Sequence, residues 1–425
     1  MSWSSRPAVS PGEADTAGGR LPSGTVTASP DAILEDVGAL LPAMVELRHE
    51  LHRFPELGLD LPRTQARVLE ELAGLPLAIE TGTTCSSVVA TLDGEYPGPT
   101  VLLRADMDAL PLPEDTGVDH ASTVPGVMHA CGHDGHTAML VGAVRHLIAH
   151  RDQLHGRVRF LFQPGEEGYA GAAHVIADGM LDDVDAGFAI HVTPNLPSGW
   201  VMTRAGAIMA SSDQLHIVVR GQGGHASTPH LAADPVPVAC EIVGAIQTAI
   251  TRKVDAFAPA VVTISELRAG TASNVIPETA TMSGTIRAVS ESTRAQVHSD
   301  LVRLAEGIAG AHGMTAEARI DEEYPVTVNH PGVAQVVLDV AGGVAAGGRV
   351  VEAPAPVMGA EDWSMILQRV PGAMAFLGVC PPDIARARRA PSCHSNRMRM
   401  HDDAMAVGAA LHVVMAHALL EGRGW

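Results

Sequence analysis

The chain has 425 residues, 46% of them hydrophobic, which is enough apolar side chain to build the cores of more than one domain. Its formal net charge is −20, with 28 basic against 48 acidic residues, and this balance argues against a nucleic-acid partner. No stretch offers the roughly 20 apolar residues of a membrane span. The five cysteines are few and odd in number, so we expect a cytoplasmic protein without a disulfide framework.

The first 210 residues predict two regions. Residues 1–30 are rich in Ser, Pro, Gly and Ala and are expected to form a disordered extension. Residues 31–210 alternate between helical and strand patterns, which predicts the first part of an α/β catalytic domain with buried strands. Helices are expected at 33–54 and 137–150, and strands in SSVVATLDG, TVLLRADMD, RVRFLFQP and AGFAIHV.

The pattern changes over residues 211–325. Strand, helix, strand, strand, helix and strand follow one another, with helices expected at 234–252 and 291–311. This βαββαβ order is that of a ferredoxin-like unit. Residues 326–425 return to the α/β pattern, with helices expected at 332–345, 361–369 and 402–420 and a strand in AMAFLGV. The simplest account is a small domain inserted into a larger catalytic domain.

Acidic side chains follow two of the predicted strands. Asp106 and Asp108 stand in RADMDALP, and Glu166 and Glu167 stand in FQPGEEG. Sheets of α/β proteins build their sites at the carboxyl ends of the strands, where one carboxylate can bind a metal ion while its neighbour acts as a base. Taken alone, the two aspartates are equally well explained as turn formers before a proline. For the two glutamates, a solvated acidic turn is the less favoured alternative.

The densest cluster of polar residues lies in MHACGHDGHTAML, residues 128–140. Cys131 and His133 precede the helix predicted there, and a thiol and an imidazole two residues apart can bind one metal ion. His191 in AIHV and His394 in CHSNRMRM add imidazoles elsewhere. Either of these two histidines alone is more often a structural residue. Together, the four separate patterns indicate a metal site.

The motifs RADMDALP, MHACGHDGH, FQPGEEG, AIHV, GHASTPH, NVIP and GAEDWS occur in the order found in the M20 metallopeptidases. The chain resembles the branch that contains hippurate hydrolases, N-acyl-amino-acid amidohydrolases and auxin-conjugate hydrolases, and the resemblance covers residues 31–420. It implies a zinc-peptidase-like α/β catalytic domain with an inserted lid that mediates dimerisation. In two departures, Gly165 replaces a common Ala and Trp363 a common Phe, and both are expected to reshape the acyl pocket.

The resemblance also implies a site with two divalent metal ions per subunit, which would be Zn, Mn, Co or Ni. Glu166 would act as the general base, and Asp108 would orient a ligand histidine. The other residues in the loop of Cys131 would shape the site rather than bind metal. The implied metal ligands are Cys131, His133, Glu167, His191 and His394.

Residues of the lid would complete the site. By resemblance, His225 in GHASTPH would reach across a dimer to the developing oxyanion, and Asn274 in NVIP would contact the substrate. Arg287 in GTIR would assist in substrate binding. The alternatives are a helix-capping role for His225 near Ser227 and a solvent-facing position for Arg287.

The implied function is that of a metal-dependent hydrolase that cleaves the amide bond of an N-acyl amino acid with a metal-activated water. We expect a small-molecule substrate, no nucleic-acid or membrane partner, and a homodimer or homotetramer. A dipeptidase or carboxypeptidase of the same fold is one alternative, and a catalytically silent metal- or ligand-binding homologue is another. Glu166 argues against the silent homologue, because a binding protein needs no base beside its metal ligand.

Overall fold

The computed structural model describes residues 29–425, so the extension predicted at 1–30 lies almost entirely outside the described residues. The α-helices of the described part are α1 (Pro30–Arg53), α2 (Pro62–Leu72), α3 (His133–Ala149), α4 (Gly171–Ala177), α5 (Pro235–Lys253), α6 (Glu291–Ala311), α7 (Pro331–Val340), α8 (Trp363–Leu367) and α9 (Ala404–Leu420). The strands are β1 (Ala78–Thr81), β2 (Val88–Asp93), β3 (Tyr96–Asp106), β4 (His155–Gln163), β5 (Ala186–Thr193), β6 (Val201–Thr203), β7 (Gly206–Met209), β8 (Ser212–Arg220), β9 (Gly224–His225), β10 (Ala260–Ala269), β11 (Val275–Ile276), β12 (Thr279–Ala288), β13 (Thr315–Tyr324), β14 (Thr327–Asn329), β15 (Val350–Glu352) and β16 (Gly372–Gly378).

The larger sheet has eight strands in the order β1-β2-β4-β3-β5-β16-β6-β15. Its centre is parallel, because β3 pairs in parallel with both β4 and β5, and β5 pairs in parallel with β16. Strands β4, β3 and β5 carry the motifs of the glutamates, the aspartates and His191. Since they are neighbours and run in the same direction, their carboxyl ends meet at one edge of the sheet. The topology therefore brings together motifs that are far apart in the sequence.

The two faces of this sheet are covered by different helices. Val101 and Leu103 of β3 join the core formed with α1, α3 and α9, whereas Leu102 joins the core formed with α4 and α8. This alternation follows from the two-residue period of a strand. Helix α9 is buried on almost all sides, as its nearly uninterrupted apolar sequence predicts. The predicted α/β class is confirmed.

The smaller sheet is antiparallel, with the order β10-β12-β8-β13. Leu215, Ile217 and Val219 of β8 point towards helices α5 and α6 and form the core with them. The alternate residues of the sheet, Gln214 and Arg287 among them, lie on the opposite face, which borders the catalytic part. The βαββαβ order predicted from the sequence is confirmed, and its strands and helices run from Ser212 to Tyr324. We call this unit the lid.

Several local predictions were wrong. Helix α3 begins at His133 and not at residue 137, after Gly132 in the left-handed conformation with φ 86°. His191 lies inside β5, two residues before its end, and not after the strand. The sequence also did not predict α2, α4 or the short strands β1, β6, β7, β9, β11, β14 and β15. Segments of two to four residues are too short to show a period, so tertiary pairing decides them.

None of the helices within residues 29–425 combines the length and the apolar character needed to cross a bilayer. The cytoplasmic location expected from the cysteine content stays a prediction.

Candidate metal centre and active-site cavity

The structure brings the five predicted metal ligands together in two overlapping groups. Cys131, His133 and His191 form one group, and Cys131, Glu167 and His394 form the other; within each group the ligand atoms lie within 4.8 Å of one another. Sγ of Cys131 is 3.3 Å from Nε2 of His191, and Nε2 of His394 is 3.3 Å from Oε1 of Glu167. Cys131 belongs to both groups, so its sulfur could serve as a ligand in either of them.

Buried atoms of these ligands have lone pairs that the protein does not use. Both ring nitrogens of His133 and Oε1 of Glu167 have no hydrogen-bond partner among the described residues, although buried polar atoms are usually paired. Nδ1 of His191 donates to the carbonyl oxygen of Val192 at 2.7 Å, which leaves Nε2 of the neutral ring unprotonated. Metal-binding histidines commonly make such a carbonyl contact. These side chains therefore fit a pair of divalent metal ions.

The electrostatics of the site point the same way. Burial lowers the pKa of His133, but the charges of Asp106, Asp108 and Glu167 outweigh it and raise the pKa to about 10. Burial and neighbouring carboxylates raise the pKa of Glu166 well above its usual value. Charged groups are expensive to bury unless an opposite charge accompanies them. The excess of buried negative charge indicates a site for cations.

Asp108 connects several parts of this site. Its Oδ1 accepts the backbone N–H of Glu166 at 3.0 Å, and its Oδ2 accepts that of Glu167 at 2.9 Å. Oδ1 also lies 3.4 Å from Nδ1 of His133. One carboxylate thus positions the turn that carries both glutamates and faces a ligand histidine. This geometry supports the orienting role expected for Asp108.

His136 braces the site without being free to bind metal. Its Nε2 accepts the backbone N–H of Val192 at 2.8 Å, so its Nδ1 carries the proton and donates to Asp106 at 2.5 Å. Both nitrogens are used, which agrees with the expectation that this histidine shapes the site. Because Val192 adjoins His191, the hydrogen bond between Val192 and His136 also helps to position a predicted metal ligand.

Arg104 lies behind the predicted ligands and was not identified from the sequence. It is 1% exposed and forms ion pairs with Asp106 at 2.5 Å and with Glu361 and Asp362 at 2.9 Å each. The available clue was a charged residue inside VLLRAD, an otherwise apolar strand of a buried sheet. Its partners could not be predicted, because two of them lie more than 250 residues away in the chain.

His394 reaches the site from a strained backbone. Its φ is 67°, in the left-handed region that residues other than glycine rarely adopt. Its backbone N–H donates to the carbonyl oxygen of Ala130 at 2.9 Å. This bond ties the loop of His394 to the loop of Cys131 and helps to hold the strained conformation.

A cavity of about 570 Å³ opens beside the predicted ligands. One wall is apolar and includes Met202, Met209, Val357 and Phe376. The lid contributes polar side chains to the lining, among them Ser212, Gln214, Arg287 and Glu323. Of the apolar wall and these lid residues, the sequence identified only Arg287, because the others stand in segments with no motif.

Arg287 points into this cavity from β12. Within residues 29–425 its guanidinium makes no side-chain hydrogen bond or ion pair, and burial lowers its pKa. The alternative of a solvent-facing arginine is therefore wrong. An unpaired, half-buried guanidinium is suited to an anion that enters from outside.

His225 and Asn274 do not line the cavity of their own chain. They lie side by side on the lid, where β9 pairs with β11 and the backbone N–H of Ala226 donates to the carbonyl oxygen of Asn274 at 3.1 Å. The backbone N–H of Ser227 donates to Nδ1 of His225 at 3.1 Å, so Nε2 of the neutral ring carries the proton and remains available as a donor. His225 does not cap α5, because Asp234 does so; its ring caps only the local turn through the N–H of Ser227.

Gly165 and Trp363, the two residues that depart from the family pattern, do not border the cavity. Trp363 is fully buried and packs against Gly187, where an added Cβ would lie 2.9 Å from its ring. Gly165 has a φ of 74°, and an added Cβ would lie 2.6 Å from the side chain of Leu59. Both residues pack behind the site, and the expectation that they reshape the acyl pocket stays a prediction.

Tyr324, the last residue of β13, was missed by the sequence analysis. Its hydroxyl donates to the carbonyl oxygen of Glu166 at 2.7 Å and accepts the N–H groups of Gly168 at 2.9 Å and Ala170 at 3.1 Å. A residue of the lid thereby holds the turn that carries both glutamates. Only its rarity, as one of three tyrosines, distinguished it in the sequence.

Comparisons with known proteins point to one family. The model of Peptidase family M20/M25/M40 matches residues 102–418. Thermostable carboxypeptidase 1 of Saccharolobus solfataricus is 38% identical over 394 residues, which cover 91% of this chain and 98% of that protein. IAA-amino acid hydrolase ILR1-like 2 of Arabidopsis thaliana is 37% identical over 381 residues, which cover 88% of this chain and 84% of that protein.

A solved structure is similar over the same extent. The YXEP protein of Bacillus subtilis, described as a dinuclear metal binding peptidase from the M20 family, is 32% identical and superimposes with a TM-score of 0.78. The match covers 90% of this chain and 99% of that one.

The hydroxyl of Tyr324 offers a test of how the lid supports the site. We expect Tyr324→Phe to lower kcat for amide hydrolysis about 10-fold, because a small misplacement of the turn that carries Glu166 and Glu167 is costly to the rate. The metal content should stay at the wild-type level. Steady-state kinetics, metal analysis and thermal unfolding measure these effects. Tyr169→Phe, which removes an exposed hydroxyl from the same turn, is the matched control. An unchanged kcat in Tyr324→Phe would contradict the positioning role.

Proposed function

The chain belongs to Peptidase family M20/M25/M40, whose members act on amide bonds with divalent metal ions, and from that premise we propose that its substrates are N-acyl amino acids. The observation that carries this proposal is one cavity that joins the predicted metal ligands to the unpaired guanidinium of Arg287. An amide next to a free carboxylate matches both ends of that cavity. The Arabidopsis relative, by its name, hydrolyses a conjugate of this kind.

In the proposed reaction, Glu166 handles the protons. Its carboxylate lines the cavity, makes no side-chain hydrogen bond within residues 29–425, and is held in place through Asp108 and Tyr324. It would take a proton from the attacking water and return it to the leaving amine. The two divalent ions, when bound by the five predicted ligands, would polarise the amide carbonyl and acidify the water. The same set of donors suits Zn, Mn, Co or Ni.

The cavity gives the substrate an orientation. Arg287 would pair with the carboxylate of the amino-acid half, and a guanidinium can do so with two parallel hydrogen bonds. Met202, Met209 and Phe376 form an apolar wall against which the acyl group would pack. Adaptable methionine side chains suit acyl groups of more than one shape.

A carboxypeptidase is the second candidate, favoured by the 38% identity to the thermostable carboxypeptidase of Saccharolobus. The terminal carboxylate of a peptide would pair with Arg287 in the same way. The two candidates differ in what lies on the acyl side of the amide, which is a simple acyl group in one and a peptide in the other.

We propose that the protein acts as a dimer in which His225 serves the partner's site. Its free Nε2–H is a suitable donor for an oxyanion, yet the residue lies outside the cavity of its own chain. Asn274 lies beside it and would contact the substrate from the same side.

The first test is hydrolysis by metal-reloaded protein of N-acetyl and N-benzoyl amino acids, with blocked dipeptides as the comparison. We expect the N-acyl amino acids to have the higher kcat/KM. Glu166→Gln should keep the metal content and lose at least about 100-fold in kcat, the lower end for a lost general base. Its matched control, Glu167→Gln, should instead lose metal. Faster cleavage of the dipeptides would favour the carboxypeptidase, and normal turnover by Glu166→Gln would remove the base assignment.

The second test concerns Arg287 and compares N-benzoylglycine with N-benzoylglycinamide, which lacks the carboxylate. Arg287→Met should lower kcat/KM for the acid by about 30-fold or more, in line with a lost charged hydrogen bond of roughly 2–3 kcal/mol. The value for the amide should change little. Arg319→Met, on the same sheet but exposed, is the control. Equal losses on both compounds would exclude carboxylate recognition by Arg287.

The third test asks whether His225 acts across a dimer. His225→Ala and Glu166→Gln subunits should each be inactive alone. Each mixed dimer would hold one complete site, so random exchange should restore about a quarter of the wild-type activity. Native mass spectrometry would verify subunit exchange. No recovery in a sample that contains mixed dimers would show that His225 does not act in trans.

A further inference from the structure

A second group of metal-binding side chains lies outside the active-site cavity, where α1 meets the end of α3. His146 lies in the last turn of α3, and His150 is the residue that caps the C-terminus of this helix. Asp36 of α1 faces them. One ligand atom from each of the three residues lies within 4.8 Å of the other two. The two imidazole rings stack with their centroids 4.3 Å apart.

The contacts of His150 are those of a metal ligand. Its Nδ1 donates to the carbonyl oxygen of His146 at 3.0 Å, because a carbonyl only accepts. Nε2 of the neutral ring therefore carries a lone pair, and it faces Oδ2 of Asp36 at 3.7 Å. That distance is too long for a hydrogen bond. It is close to the roughly 3.4 Å that separates two ligands of a tetrahedral zinc ion. A carbonyl contact at the other nitrogen is usual for zinc-binding histidines.

His146 is also free to bind a metal ion. It is 3% exposed, and within residues 29–425 its ring forms no hydrogen bond. Its contact within the group is the stacking of its ring on that of His150. One nitrogen of the neutral ring therefore has an unused lone pair.

We propose that Asp36, His146 and His150 form a third metal site, separate from the active site. Two imidazoles and one carboxylate suit a tetrahedral transition metal such as Zn²⁺, with water as the fourth ligand. The site would tie α1 to the end of α3, and these helices pack together on one face of the large sheet. The inference does not depend on the proposed substrate.

The test counts zinc ions per chain by equilibrium dialysis at micromolar Zn²⁺, followed by elemental analysis. Wild type should bind three, and His150→Ala and Asp36→Asn should each bind two. His312→Ala, which removes an exposed histidine from the lid, should keep three. Zinc should also raise the Tm of wild type more than that of His150→Ala, since binding to the folded state alone stabilises it.

Each outcome decides the proposal. Equal zinc counts in wild type and both variants would overturn it, and so would a third ion that binds wild type only at millimolar zinc, because that binding is adventitious. Asp36→Asn keeps the size of an exposed side chain, so it tests the site without disturbing the fold. Loss of the active-site ions would appear instead as a smaller count in every protein and would bear on the proposed function alone.

Discussion

One buried guanidinium, that of Arg104, holds together the acidic side of the candidate metal centre. It pairs with Asp106 of its own strand and with Glu361 and Asp362 of a distant loop. Each of these carboxylates is almost fully buried and would be expensive to keep charged without it. Through His136, Asp106 is further connected to the end of β5, next to His191. The positions of two strands and one loop thus depend on a single cation.

Arg104 does not neutralise the front of the site. There, Asp108 and Glu167 lie within 4 Å of His133, and within residues 29–425 their ion pairs are with histidines and not with lysine or arginine. Divalent ions would replace the protons of these histidines, which makes metal binding and the correct positions of the ligands one coupled event. Arg104 thus supplies a fixed positive charge at the back of the site, and exchangeable metal ions would supply the positive charge at the front.

The lid contributes to the site in two ways. Tyr324 fixes the turn of Glu166 and Glu167, and Arg287 supplies a positive charge at the far side of the cavity. A substrate carboxylate that binds Arg287 would therefore connect the lid to the catalytic part in addition to the covalent links. The position of the lid therefore affects both the position of the turn of Glu166 and Glu167 and the binding of the substrate. We regard the lid as part of the active site for this reason.

The sequence alone determined the fold class and the βαββαβ order of the lid, and it indicated the side chains of the candidate metal centre. These features are local, since strand and helix periods and polar residues at strand ends can be read within about ten residues. Parallel pairing then brought the strand ends of RADMDALP, FQPGEEG and AIHV to one edge. Only the tertiary structure decided that Arg104 meets Asp362, that Tyr324 holds Glu166 and that Asp36 faces His150. Each of these contacts joins residues more than 100 positions apart, and their geometry follows from how helices and sheets pack and not from any local pattern.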